Sequence, residues 1–339
     1  MPQVIDVHTH YVPRGWPQLG EDGTGQESTL PWLRVENERE ATIMVGSREF
    51  RRILANCWDA GERLREMGED QVDVQVVSPT PVFFSYDRTP AEAVRIAKVF
   101  NDLALEICEP ASGRLLPFCQ VPLQDPDLAC EELDRCIAAG HRGVEIGNHV
   151  GDRDLDDAGI VMFLQHCAAK GVPVFVHPWD MPSSPRLGRW MSQWLTGMPA
   201  ETHLSLLAMI LGGVFDQVPE TLKICFAHGG GSFAFWLGRL ENAWHERHDV
   251  IGGSANPPSS YLGRFSVDSV VFDPSALRLL VDVLGVENIL LGSDYPYPLG
   301  ERPVGQVVRK AQFLSEAERD LLLGGNAARF LSLPEEVKR

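Results

Sequence analysis

The sequence predicts a (β/α)8 barrel, and three observations predict it. Short, nearly continuous apolar runs recur eight times, at 4–8, 72–78, 115–121, 143–147, 173–177, 223–228, 265–269 and 289–293. Unbroken hydrophobicity marks strands that protein covers on both faces, as in a parallel sheet wrapped by helices. Between the runs lie stretches with apolar residues at helical spacing, so strands and helices alternate. Four of the runs also end alike: Val4–His10 on His8 and His10, Val174–His177 on His177, Ile224–His228 on His228, and Ile289–Asp294 on Asp294.

The first run, Val4-Ile5-Asp6-Val7-His8-Thr9-His10, sets two histidines one residue apart. Alternate side chains of a strand share a face, so His8 and His10 point the same way. Residues 11–57 exceed the barrel scheme: Gly, Pro and Trp crowd their start, and Thr42–Ser47 reads as a small hairpin inserted after the first strand. Crossover helices are expected over 89–110, opened by Thr89-Pro90-Ala91-Glu92, and over 127–139, 156–170 and 275–284. The tail, 299–339, reads as helices closing the barrel, with a solvated charged end at Glu335–Arg339. There is no internal repeat and no flexible linker. A single elaborated domain, 1–339, is the expectation.

At 339 residues and 44% hydrophobic content, the chain can bury a large core. A net charge of −17 with no basic run speaks against nucleic acid or anionic membrane as a partner. No signal-like start and no apolar stretch of membrane-spanning length is visible, so a cytoplasmic protein is expected. The seven cysteines, at 57, 108, 119, 130, 136, 167 and 225, lack CxxC spacing. They read as reduced, buried thiols instead of disulfides or zinc thiolates.

Active sites of such barrels lie at the C-terminal ends of the strands, where every candidate here sits. A lone histidine after a strand is usually a loop residue with its hydrogen bonds met, and an aspartate before Tyr-Pro can simply cap a turn. Five such residues at one rim is a different matter. Imidazole and carboxylate suit zinc and other borderline divalent ions, and three or four protein ligands leave room for water. His8, His10, His177 and Asp294 are therefore assigned as ligands. His228, followed by Gly229-Gly230-Gly231, is assigned as a free imidazole near the metal that takes a proton.

The motifs HxH, His177-Pro178-Trp179-Asp180, His228-Gly229-Gly230-Gly231 and Gly292-Ser293-Asp294-Tyr295-Pro296 resemble the amidohydrolase superfamily, specifically its branch of non-oxidative decarboxylases. Gln120–Gln124, Gly147-Asn148-His149, Gly197–Thr202 and Tyr295–Glu301 bring the likeness close to the decarboxylases of 2-amino-3-carboxymuconate 6-semialdehyde. The resemblance implies a (β/α)8 barrel, one Zn2+ per chain, and CO2 removal in tryptophan (kynurenine) or nitrobenzoate breakdown. Binuclear relatives use a lysine at the end of the fourth strand; Gly143–Gly147 has none, which favours one metal. By the same resemblance, Arg51 binds the substrate carboxylate and Arg239 does so from the neighbouring subunit of a homodimer. Reach supports the second assignment, since Arg239 lies eleven residues past His228, mostly along a helix. Without the resemblance, each arginine would read as a surface ion pair. Trp190 and Trp194 resemble a loop that covers the site, although packing against the barrel explains them equally well. Thr9 departs from the family's serine, and 16–40 matches poorly, which leaves the exact substrate open.

The expected mechanism has zinc acidifying water, His228 accepting the proton, Arg51 and Arg239 fixing carboxylates, and His228 or Asp294 handling the proton during C–C cleavage. A decarboxylase of another carboxylated muconate semialdehyde or aromatic acid is the alternative, as is an amidohydrolase-type hydrolase or hydratase. A non-catalytic binding protein fits poorly with His228 in place.

Overall fold

The structure of the protein is a computed structural model that describes residues 3–14, 31–111, 113–182 and 184–334. Eight parallel strands make one sheet: β1 (Ile5–Tyr11), β5 (Val74–Pro79), β6 (Leu115–Cys119), β7 (Gly143–Gly147), β10 (Val174–His177), β11 (Ile224–Phe226), β12 (Ser266–Asp268) and β13 (Ile289–Leu290). The last strand returns to the first. Val7 N–H donates to the Leu291 carbonyl at 2.9 Å and His10 N–H to the Tyr295 carbonyl at 2.7 Å, closing a (β/α)8 barrel. All eight strands were predicted from their apolar runs, to within a few residues at each end.

Helices α1 (Ala60–Asp70), α2 (Pro90–Cys108), α3 (Pro126–Ala139), α4 (Ala158–Lys170), α5 (Met198–Leu211), α6 (Val214–Gln217), α7 (Phe233–Glu246) and α8 (Pro274–Leu284) connect the strands. Their starts follow local chemistry. Thr89 and Glu92 form a reciprocal capping box on α2, while Asp125 and Asp273 accept backbone N–H groups at the starts of α3 and α8, each followed by proline. The tail is helical as expected, in α9 (Gln306–Lys310), α10 (Glu316–Asp320) and α11 (Asn326–Phe330); its charged end, Glu335–Arg339, lies outside the described residues.

Two apolar layers sort the strand residues. Val77, Leu115, Val144, Val176, Phe226 and Leu291 face the helices. Ile5, Val7, Val76, Phe118, Phe175 and Leu290 fill the barrel interior and pack on Ala327, Phe330 and Leu331 around α11. That plug occupies the lower end. Polar side chains are thereby left to the upper, C-terminal end.

After β1 the chain forms a three-stranded antiparallel sheet, β2 (Pro31–Val35), β3 (Glu40–Val45) and β4 (Arg48–Leu54), in place of the expected single hairpin. β3 carries the clearest apolar signal. β4 has four charged residues in seven, and β2 is five residues long and opens on a proline, so neither stood out as a strand; Arg34 of β2 pairs with Glu49 of β4 at 2.6 Å. Two further short strands, β8 (His149–Val150) and β9 (Arg153–Asp154), pair beyond β7. The poorly matching segment 16–40 falls largely outside the described residues. Among the described residues, no helix is long and apolar enough to cross a membrane, and all seven cysteines are free.

Candidate metal centre

One donor atom from each of His8, His10, His177 and Asp294 lies within 4.8 Å of the others. His8 Nε2 is 3.2 Å from His10 Nε2, and Asp294 Oδ1 lies 3.2 Å from His10 Nε2 and 3.6 Å from His8 Nε2. A β-bulge makes this possible. The register of β1 against β5 shifts between Asp6 and Thr9, so Val7 stays inside the barrel while His8 and His10 also turn inward.

Hydrogen bonds outside the cluster settle which nitrogens carry protons. His8 Nδ1 donates to the Asp268 carboxylate at 2.6 Å, and His177 Nδ1 donates to the Pro178 carbonyl at 2.9 Å. Each Nε2 is then a bare lone pair aimed at the centre. Burial, with the neighbouring imidazoles adding to it, holds His177 well below the usual histidine range and takes His10 down to about 4. Asp294 remains ionised: burial opposes its charge, but His10 and His8 more than offset that. Lone pairs and a carboxylate pressed together in a buried site form a donor set that fits a divalent cation.

His228 stands apart from the four donors, with its ring 5.2 Å from that of His8 and 5.1 Å from that of His177. Among the described residues no hydrogen bond holds its side chain, and its Nδ1 is buried without a partner. Burial lowers its pKa, which favours the neutral ring that can accept a proton. Asp268 is a functional residue that the sequence reading missed. Its carboxylate takes the His8 proton on one oxygen and, on the other, the backbone N–H of Gly229 at 2.9 Å and of Val270 at 3.1 Å. One side chain thus orients a ligand and anchors the backbone beside His228. A signal existed in Phe265–Asp268, another apolar run ending in an acid at the same rim.

The donors open into a cavity of about 530 Å³, lined by His10, His177, His228 and Asp294 and walled by Phe50, Trp179, Trp194, Leu195 and Val270–Phe272. Arg51, on β4, also lines it. Its guanidinium lies 4.4 Å from the Tyr297 ring centre and has no carboxylate partner among the described residues. Arg239 does not line the cavity of its own chain. It is exposed on α7 and again has no described carboxylate partner.

Comparison with known proteins agrees with the fold. The amidohydrolase family model matches residues 5–333. A 2-amino-3-carboxymuconate-6-semialdehyde decarboxylase from Dictyostelium discoideum is 40% identical over 97% of this chain and 91% of its own length. The protein of that name from Caenorhabditis elegans is 32% identical over 98% and 95%. The apo crystal structure of the Metarhizium anisopliae IDCase superimposes with a TM-score of 0.84 at 25% identity, covering 98% of each chain. The chain belongs to the amidohydrolase family, within its decarboxylase branch.

The segments that carry the resemblance have physical reasons in this amidohydrolase. Asn148 donates to Glu201 at 2.6 Å and accepts the Trp179 N–H at 2.8 Å, tying three of the motif segments together over the site. The glycine run after His228 is there for close packing, a more specific reason than flexibility. Gly231 has φ 64°, and a Cβ on it would stand 2.1 Å from the Pro199 carbonyl oxygen. Of the two loop tryptophans, Trp194 lines the cavity, whereas Trp190 is exposed against Arg189. His149 and the other histidines stay outside the cavity, for example His166 on Asp134 and His203 on Ser232.

Proposed function

We propose that the chain is a zinc-dependent non-oxidative decarboxylase that converts 2-amino-3-carboxymuconate 6-semialdehyde to 2-aminomuconate 6-semialdehyde and CO2, in tryptophan (kynurenine) or nitrobenzoate breakdown. The observation that carries this reading is the convergence of His8, His10, His177 and Asp294 beneath a cavity whose wall presents Arg51, which has no carboxylate partner among the described residues. Two relatives over nearly the full length bear the name of that reaction. His8, His10, His177 and Asp294 would hold one Zn2+, which when bound supplies Lewis acidity and lowers the pKa of water toward 7.

The chain's own residues do the rest. Arg51 fixes a substrate carboxylate in a bidentate pair, and Arg239 from a second copy in a homodimer fixes another. His228 takes up one proton from solvent in each turnover and delivers it to the substrate carbon that bears the carboxylate, the new C–H bond being formed by the electron pair of the adjacent double bond. The bond from that carbon to its carboxylate then breaks, and its electron pair restores the double bond as CO2 departs. One proton in and one CO2 out turn R–COO− into R–H, which balances atoms and charge. The apolar walls keep water away from that carbon.

The test joins metal analysis to product analysis on protein purified without added metal. One zinc per chain, with CO2 released as one carboxylate is lost, is the expected result. Water uptake without CO2 makes the protein a hydrolase or hydratase. Manganese in the same position would replace zinc in this reading.

A further inference from the structure

The cavity floor holds one aromatic side chain to which the mechanism above gives no task. Tyr297 is buried and lines the cavity. Its ring lies under the Arg51 guanidinium at 4.4 Å, closer than Phe50 does at 5.4 Å. The same ring lies against the His10 imidazole, with centres 5.6 Å apart and planes tilted by 33°. Tyr297 therefore stands between the cation of the cavity wall and a donor of the candidate metal site.

Its hydroxyl is committed elsewhere. Thr80 Oγ1 donates to the Tyr11 carbonyl at 2.9 Å, and a carbonyl can only accept. That contact uses the single Thr80 proton. In the 2.5 Å contact between Thr80 Oγ1 and the Tyr297 hydroxyl, the phenol must then be the donor. The proton of Tyr297 points into the barrel wall, and only its ring faces Arg51.

We propose that Tyr297 is a positioning residue that sets substrate affinity through Arg51: its ring face holds the guanidinium over the cavity, and its hydroxyl takes no part in proton transfer. The inference rests on the reading of Arg51 as the carboxylate-binding group. An arginine without a carboxylate partner keeps its donors free for substrate only if something else fixes it, and a ring face does so without occupying its N–H groups. A carboxylate of this chain in the same place would fix Arg51 and neutralise it.

The test varies the ring and leaves its shape alone. Tyr297→Phe is expected to keep kcat and KM within about twofold of the parent. Successive fluorination of a phenylalanine at 297 weakens the ring face with little change of size. KM should rise stepwise, by about three- to thirtyfold across the series, with kcat nearly constant. In an Arg51→Ala background the series should be flat. A hundredfold fall in kcat for Tyr297→Phe would make the hydroxyl an acid and overturn the proposal. So would a KM that ignores fluorination, or one that follows it equally without Arg51. Arg51→Ala alone separates the two readings. If it raises KM while the fluorinated series stays flat, only the role of Tyr297 fails; if it leaves KM unchanged, Arg51 is not the carboxylate group and both fail.

Discussion

Two neighbouring residues, His228 and Asp268, divide the work around the donor cluster, and substitution should separate them. His228 touches no ligand through a hydrogen bond, so His228→Ala is expected to retain its metal and lose about 10²–10⁴-fold in turnover. Loss of metal from that variant would make His228 a ligand. Asp268 works through His8. Asp268→Asn puts an amide where the carboxylate accepts the His8 proton, and metal affinity should fall about 10–100-fold in a chelator competition; unchanged affinity would remove it from that role. The contrast explains what could be read in advance. His8, His10, His177, His228 and Asp294 were legible because each is a polar residue abruptly ending an apolar run. Asp268 ends one too, but its partner is a histidine 260 positions away, and only the closed barrel brings the pair together. Glu145 was less legible still: it lies fully buried inside β7, 3.8 Å from His10 Nδ1, and among the described residues neither of its oxygens accepts a hydrogen bond, where the sequence shows only an acid within a strand.

Elements were legible where hydrophobicity alone defines them. Barrel strands are covered on both faces and must be apolar, which gave all eight; β4 is half charged and largely exposed, and β2 is a short strand opening on a proline, which hid them. The bulge in β1 has no signature in residue type, because Val7 and His8 sit on the same side only after the register shifts against β5. The elements nearest the site carry their own constraint. The turn from β11 into α7 passes through Gly229, Gly230 and Gly231, all at positive φ, and Gly231 lies against the backbone of α5 at Pro199. Gly231→Ala adds a methyl 2.1 Å from that carbonyl oxygen at a backbone angle that L-residues avoid. Strain at such a position costs about 1–3 kcal/mol before any steric repulsion. The variant should melt lower than the parent and lose turnover with its metal still bound, as the turn carries His228. An unchanged melting temperature and rate would show that α5 and the turn yield to each other freely.

At the scale of the whole molecule, the proposed reaction asks whether one chain supplies all the cations its substrate needs. Among the described residues Arg51 is the one arginine that lines the cavity, and it has no carboxylate partner there, while the proposed substrate, with two carboxylates, calls for a second cation. Arg239 is the candidate: it is exposed on α7 next to Phe235 and Trp236, which are 69% and 43% exposed, an apolar surface more typical of an interface than of a free helix. If a second copy packs there, each subunit can complete the other's site, and symmetry makes the exchange reciprocal. Subunit mixing tests this directly. Arg239→Ala chains and His228→Ala chains are each expected to be inactive alone. In a mixed dimer, the site with an intact His228 receives its Arg239 from the His228→Ala partner, while the other site lacks both. With free exchange at equal concentrations, half the dimers are mixed and each carries one complete site, so about one quarter of parental activity should return. An Arg239 serving its own chain restores nothing, because every site then lacks either the base or the arginine. Exchange confirmed by labelled subunits without recovery of activity, or full turnover by a dilute monomer, would end the shared-arginine proposal.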